Sequence, residues 1–330
     1  MEFWNSRNVL VTGCTGFLGG WLTAELVRRQ ANVIGLVRDV VPHAPFFLQG
    51  IVNDVTVVRG SIEDYEVVER TINEHEVDTV IHLAAQAIVG VANRNPLSTF
   101  ETNIKGTWTL LEACRQNAQV SRIVVASSDK AYGSHTHLPY KEDFALQGRH
   151  PYDVSKSCTD LIALMYHHTY GTPVCVTRCG NIFGPGDVNY SRIVPGTMRS
   201  VLNGERPIIR SDGSPIRDYV FVDDIVDAYL LLAEHMDDPS ILGRAFNIAV
   251  GEPVSVLELT QLILKTAGRT DLEPVILNEA KGEIVHQYLS SELATEVLGW
   301  RPGAPLEERL HETYEWHREH LSGVVDSVEA

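Results

Sequence analysis

The stretch Asn8-Val9-Leu10-Val11-Thr12-Gly13-Cys14-Thr15-Gly16-Phe17-Leu18-Gly19 decides the fold. A short β-branched run passes through a glycine-rich turn into a helical period that carries on to Arg29. Strand, turn and helix in this order are the setting of the dinucleotide-binding fingerprint. Gly13 permits the tight turn, Gly16 lets backbone N–H groups approach a pyrophosphate, and Gly19 allows the helix to pack closely. Thr15, Phe17 and Leu18 complete the loop as candidate cofactor contacts.

The pattern around this stretch repeats it. NVIGLV, TVVRG, DTVIHL, RIVVAS and PVCVTR alternate with helical segments over Tyr65 to Glu74, Leu97 to Arg115 and Tyr152 to Tyr170. Such alternation predicts an α/β fold, a Rossmann-type doubly wound parallel sheet. Helices on both faces explain why these strands are apolar throughout instead of alternating. After Gly184-Pro185-Gly186 the pattern loosens into a helix near Ile193 to Leu202, a hairpin-like stretch RPIIRSDGSPIRDYVFV, and an apolar helix from Asp224 to His235 that Val222-Asp223-Asp224 is expected to cap. FNIAV, a helix over Val256 to Thr266, a strand near Pro274 to Leu277 and two helices closing around His320 follow, with SGVVDSVEA as a frayed tail. The expected division is a cofactor domain over 1–185, rejoined by 216–249, and a smaller C-terminal α/β substrate-binding lobe within 186–330.

The 330 residues, 44% of them hydrophobic and 21% charged, suffice for one large core and an appended lobe. A net charge of −16 without a basic stripe argues against nucleic acid, and an anionic substrate would need local arginines. No apolar run is long enough to span a membrane, and MEFWNSRN leaves no room for a signal peptide, so the expectation is a cytoplasmic protein without a membrane partner. The five cysteines lack C-x-x-C spacing and the histidines lack ligand spacing, so thiols are expected reduced and no metal site is expected.

Two further places carry chemistry. Where the second strand ends, Val37-Arg38-Asp39 stands where an acidic residue usually holds the ribose diol of NAD. Arg38 can pair with a 2′-phosphate, which favours NADP over NAD; the other reading leaves Arg38 in solvent and gives the ribose to Asp39. Further along, RIVVAS ends in Ser127-Ser128-Asp129-Lys130, and the helix opening His150-Pro151-Tyr152 puts Tyr152 and Lys156 on one face. A phenol beside an ammonium can serve as a base on a sugar hydroxyl, the lysine lowering its pKa. Ser128, at a strand's C-terminal end, can hold the same hydroxyl.

Taken in order, TGCTGFLG, HLAAQ, NIKGT, SSDKAYG, YDVSK, RCGNIFGPGD, SPIRDYVFVDDI and LGWRP resemble the extended short-chain dehydrogenases/reductases of the epimerase/dehydratase type that process nucleotide sugars. The resemblance runs over nearly the whole chain. It implies an NAD(P)-dependent enzyme in which Ser128, Tyr152 and Lys156 are catalytic, Tyr152 and Lys156 also touch the cofactor, and Leu83 and Ala84 of HLAAQ line its site. It implies, too, that Asn181 and Arg217 hold the substrate's diphosphate, and that the helices over 97–115 and 152–170 pair in a homodimer. Arg192 is a further candidate for the diphosphate, or an ordinary ion-pairing residue. Gly60-Ser61 departs from the Gly-Asp that relatives place against adenine.

The residues after Ser128 bear on the reaction. Epimerases of this kind carry small or neutral residues there, whereas Asp129 and Lys130 offer two ionisable groups. A 4,6-dehydration needs one group to remove the C5 proton and another to protonate the departing C6 hydroxyl. The Asp-Lys pair resembles CDP-glucose 4,6-dehydratases and inverting UDP-N-acetylglucosamine dehydratases, and Ser191-Arg192-Ile193-Val194-Pro195 resembles the former. The competing readings are a strand-end salt bridge in a 4-epimerase and a non-catalytic cofactor sensor on the same fold.

Overall fold

The computed structural model describes residues 3–40, 44–279 and 284–328. Its strands are β1 (Asn8–Thr12), β2 (Asn32–Val37), β3 (Thr56–Arg59), β4 (Thr79–His82), β5 (Arg122–Ala126), β6 (Val174–Cys179) and β7 (Asn181–Phe183), then β8 (Ile208–Ile209), β9 (Ile216–Arg217), β10 (Tyr219–Phe221), β11 (Ala245–Ile248), β12 (Val254–Ser255), β13 (Val275–Ile276) and β14 (His286–Gln287). The helices are α1 (Phe17–Arg28), α2 (Pro45–Leu48), α3 (Tyr65–Glu74), α4 (Val89–Arg94), α5 (Pro96–Phe100) and α6 (Gly106–Arg115), then α7 (Pro151–Tyr170), α8 (Ile193–Leu202), α9 (Val222–His235), α10 (Val256–Thr266), α11 (Glu292–Leu298) and α12 (Leu306–Val328).

Seven strands form one sheet in the order β3-β2-β1-β4-β5-β6-β11, every pairing parallel. This is the Rossmann-type doubly wound fold. Val9 and Val11 turn toward the core shared with Leu22, Leu26 and Tyr229, whereas Leu10 turns toward Ile72, Val80 and Leu110. Both faces of β1 are therefore dry, the physical reason for its unbroken apolar run. The strand order reverses between β1 and β4, so ligands are expected in the crevice beyond their C-terminal ends.

The remaining strands are short. β10 pairs with β7, β9 lies between β12 and β14, and β8 pairs with β13. With α8, α10 and α12 they enclose a second core around Phe183, Met198, Phe221, Leu259 and Leu310. The residues from α9 to β11 run back along the large sheet, β11 pairing with β6.

Four local expectations change. RPIIRSDGSPIRDYVFV makes no hairpin: β8 and β9 pair with strands from late in the chain, because Gly213 at φ +88° turns the chain without returning one strand to the other. The helix over Leu97 to Arg115 opens into a π-helical turn at Glu101–Lys105, between α5 and α6. Helix α9 begins at an uncapped Phe221, and Asp224 serves elsewhere: Oδ1 accepts from Gly303 N at 2.9 Å and its carbonyl from Trp300 Nε1 at 2.8 Å. The tail, finally, continues α12 to Val328.

Candidate active site

The first wall of the crevice is the glycine turn. Gly13 has φ +75°, and a Cβ there would stand 2.8 Å from Ala84 N, so only glycine lets β1's turn lie against Leu83 and Ala84 after β4. Leu83 N donates to the Thr12 carbonyl at 3.1 Å and Ala84 N to Thr12 Oγ1 at 3.2 Å, which locks the two strand ends together. Gly16 caps α1 without any side-chain bond, and a Cβ there would meet only the Gly13 carbonyl, at 3.2 Å. The open space above that helix N-terminus, with Thr15, Phe17 and Leu18 around it, suits a dinucleotide pyrophosphate. At the far end of β2, Arg38 Nε donates to Asp39 Oδ2 at 2.6 Å, both side chains exposed. At the end of β3, Ser61 Oγ donates to Glu63 Oε2 at 3.1 Å, and Thr102 Oγ1 donates to the other oxygen at 2.7 Å.

The second wall is built where β5 runs into a single 3₁₀ turn over Asp129–Tyr132. Ser128 caps this turn, its Oγ accepting from Lys130 N at 3.2 Å and donating to Asp129 Oδ1 at 2.9 Å. Asp129 is 4% exposed. Tyr132, ending the turn, is anchored from behind: its hydroxyl donates to Asn247 Oδ1 and accepts from Arg178 Nη1, each at 2.7 Å, while Arg178 forms a bidentate buried pair with Asp160. The turn carrying Asp129 and Lys130 is thus fixed to β6, α7 and β11 together.

Helix α7 supplies the rest. Burial pushes the Tyr152 phenol up to about 12; contact with Ser128 opposes the rise, the Asp129 charge adds to it, and the Arg192 charge opposes it. Lys156 is buried, which brings its ammonium down to about 8, and its Nζ donates to the Ala126 carbonyl at 2.7 Å. Burial dominates the Tyr152 phenol, and the Lys156 ammonium is engaged by the Ala126 carbonyl. Behind Lys156, His82 is pushed down to about 3 by burial and then by the lysine charge; its ring nitrogens lie 2.8 Å from Thr12 Oγ1 and 3.2 Å from Thr107 Oγ1.

The structure brings Ser128, Asp129 and Arg192 within electrostatic reach of Tyr152. Arg192 Nη1 also donates to Asp187 Oδ2 at 3.0 Å. Asn181 opens β7, its backbone N–H on the Asp218 carbonyl at 2.9 Å. Arg217 is turned onto the backbone, its guanidinium donating to the carbonyls of Ile216, Val285 and Ile284 at 2.8, 3.0 and 2.6 Å.

Several residues here were not singled out in the sequence. Asn103 joins the Gln86 loop to Ser155 of α7, bonded to Gln86 N at 2.7 Å and Ser155 Oγ at 2.9 Å. Asp153 is buried, which raises its pKa; the charges of Lys130 and His150 oppose the rise. Gln287, wholly buried on β14, accepts from Lys130 Nζ. The strictly local pattern of Asn103 inside NIKGT was the one available signal; Gln287 had none.

A family model described as the NAD dependent epimerase/dehydratase family matches residues 9–249. Among curated proteins, a CDP-glucose 4,6-dehydratase of Salmonella typhimurium is 29% identical over 98% of this chain and 93% of its own. A dTDP-glucose 4,6-dehydratase of Streptomyces antibioticus is 33% identical over 94% and 92%. Among solved structures, UDP-glucose 4-epimerase of Thermotoga maritima with UDP-glucose superposes with a TM-score of 0.87 at 32% identity, over 96% of this chain and 100% of that one. A dTDP-glucose 4,6-dehydratase of Streptomyces venezuelae with NAD bound gives 0.85 at 28%, over 96% and 98%.

Proposed function

Since this chain belongs to the NAD dependent epimerase/dehydratase family, we propose that it is a nucleotide-sugar 4,6-dehydratase, with CDP-glucose as the favoured substrate. The observation that carries this reading is the pair Asp129-Lys130 on the turn after Ser128, with the Asp129 carboxylate bonded to the Ser128 hydroxyl and its charge acting on Tyr152. The Asp-Lys sequence and the likeness to the Salmonella typhimurium dehydratase favour the cytidine nucleotide.

Bound NAD would supply a hydride acceptor for C4 of the sugar and a hydride donor for C6. The chain's own residues handle the protons. Burial favours the neutral phenol of Tyr152, so the positive charge of a bound oxidised nicotinamide would be needed to favour the phenolate, whose Oη would then receive the proton of the C4 hydroxyl that Ser128 Oγ holds in place. Lys156, brought down to about 8 by burial and held on the Ala126 carbonyl, lies one helical turn along α7 from the tyrosine. Once C4 is a ketone, the C5–H bond breaks, its electron pair forms the C5–C6 double bond, and the C6 hydroxyl leaves as water after gaining a proton; when hydride is returned to C6, C5 takes back the proton removed from it. Asp129 and Lys130 share these proton transfers. Gly13, Thr15, Gly16, Phe17, Leu18, Leu83 and Ala84 would hold the cofactor, and Asn181 and Arg192 the diphosphate; Arg217 would have to leave the Ile216, Val285 and Ile284 carbonyls to join them. NAD suits the site better than NADP, because Arg38 is closed on Asp39 and the Streptomyces venezuelae relative holds NAD. The enzyme is read as a cytoplasmic homodimer.

Mass spectrometry of the protein incubated with NAD and a panel of CDP-, GDP-, UDP- and dTDP-sugars tests this. Loss of one water from a single substrate, strongest with CDP-glucose, is the expected result. Unchanged mass with an inverted C4 centre by NMR would make the chain a 4-epimerase, the reading favoured by its likeness to the Thermotoga maritima enzyme.

A further inference from the structure

The turn after Ser128 meets β14 and its flank through Tyr132, which packs with Leu289, and through Lys130, which reaches Gln287. Gln287 lies on β14, in register with Arg217 of β9, and none of its surface reaches solvent. Its Oε1 accepts from Lys130 Nζ, across 157 residues of sequence. Its Nε2 is buried with no hydrogen-bond partner among the described residues. Buried side-chain donors without a partner are uncommon in folded proteins.

A carboxamide has two ends, an acceptor and a donor, whereas an ammonium only donates. A neutral amine presents a lone pair and so accepts as well. A lysine that takes and gives a proton in each turnover alternates between these forms, and a partner with a single character would favour one of them. We propose that Gln287 is a positioning residue for Lys130 whose carboxamide holds the amine in both protonation states, Oε1 accepting from the ammonium and, with the amide turned over, Nε2 donating to the free amine. The orphaned Nε2–H is the donor kept for the second state. This inference rests on the reading of Lys130 as a proton-transfer group.

The surroundings hold the strand and leave the amide to respond. Arg217 donates to the Val285 and Ile284 carbonyls, and the Tyr288 carbonyl accepts from Tyr140 N at 2.9 Å, so the backbone on either side of Gln287 is tied down. Charged and titratable groups near Lys130 include Asp129 beside it, Asp153 on α7, on which His150 also acts, and Arg217 in register with Gln287. Asp153 and Asp129 favour the ammonium; a neutral amide adds no further charge, whereas a carboxylate at 287 would.

The test compares wild type, Gln287→Glu and Gln287→Met in the full-length enzyme. Titration of the lysine side chains by NMR in the ligand-free protein, with the Lys130 signal assigned through Lys130→Met, reads the amine directly. The pH profile of kcat for dehydration reads it in turnover. Gln287→Glu, nearly isosteric, should raise the Lys130 pKa by about one unit or more. The limb of the kcat profile that depends on Lys130 should move with it, and kcat should fall about tenfold or more while KM changes little. Gln287→Met should lower the Lys130 pKa and cut kcat. An unmoved Lys130 titration in Gln287→Glu, or an unchanged profile, overturns the proposal. Glutamate keeps the shape of the side chain, so the comparison stands even if the methionine variant does not fold. Absence of dehydration by wild type would instead overturn the function, and the NMR titration would still judge the contact between Gln287 and Lys130.

Discussion

The Asp129 carboxylate is buried and bonded to the Ser128 hydroxyl, and its negative charge adds to the rise that burial causes in the pKa of Tyr152, Asp153 and Asp218 around it. Asparagine keeps the shape but can neither carry that charge nor hand over a proton. Asp129→Asn should therefore lower dehydration by about 10²–10⁴-fold, with the cofactor still bound. It should also let Tyr152 titrate nearer its ordinary value, because one charge that pushes the phenol up is gone. Product analysis and phenolate absorbance, the latter against Tyr152→Phe, check both outcomes; turnover unchanged within a few-fold would make Asp129-Lys130 a structural pair in an epimerase. Ser128, Tyr152 and Lys156 were legible in the sequence because strand end and i, i+4 spacing are local. The contact of Lys156 with the Ala126 carbonyl was not, since nothing in the spacing tells which acceptor a buried ammonium reaches first. Gln287 was invisible for a stronger reason: its meeting with Lys130 depends on how β14 pairs with β9.

At the scale of elements, the same distinction separates α5–α7 from the residues between α8 and α9. The helices announce themselves by periodicity, and their outer surface says more: Leu97 is 68% exposed, Trp108 46% and Leu161 58%, with Met165 one turn beyond Leu161. Large apolar side chains exposed on packed helices are the mark of an association surface, and a two-fold pairing of like helices would bury them symmetrically. The wild-type chain should sediment as a dimer at micromolar concentration, and the double variant Trp108→Glu, Leu161→Glu as a monomer with its thermal transition retained. A wild-type monomer, or a dimer indifferent to both charges, removes this surface from the assembly. By contrast, the hairpin expected over 206–222 failed because turn chemistry reports where a chain bends, not which strand it then joins. β8 and β9 each found a partner beyond residue 250, and no local pattern encodes that choice. The cap expected at Asp224 failed similarly, its carboxylate being taken by Gly303 and Arg309.

For the whole molecule, Asp224 shows how the two lobes were only half legible. LGWRP was readable as a closing motif, yet its work is tertiary: Trp300, Gly303 and Arg309 all fasten onto the first turn of α9, joining α12 to the large sheet. Further along α12, His317 is buried with both ring nitrogens lacking a hydrogen-bond partner among the described residues, 6.2 Å from the ring of Tyr190 in the loop before α8. Burial, and then the nearby His320 charge, push it down to about 4 from an ordinary 6.5. The folded protein thus refuses a proton that the unfolded chain accepts. A histidine depressed in this way contributes full stability above about pH 6.5, and the contribution drains as pH falls toward 4. His82, at about 3, acts in the same sense, while Asp218, raised to about 6, acts oppositely and gains stability on acidification. The acid limb of the wild type alone therefore mixes signs, and a difference between proteins isolates one group. His317→Leu removes the titration and the two orphaned nitrogens together. Its melting temperature should exceed that of the wild type at pH 7.5, since leaving buried polar atoms unpaired costs about 1–3 kcal/mol. The gap should then widen between pH 6.5 and 4, by up to about 3 kcal/mol in stability, because Asp218 and His82 contribute equally to both proteins and cancel. Thermal unfolding of the pair across that range decides the matter: parallel curves would mean that His317 takes up its proton in the folded protein as readily as in the unfolded chain.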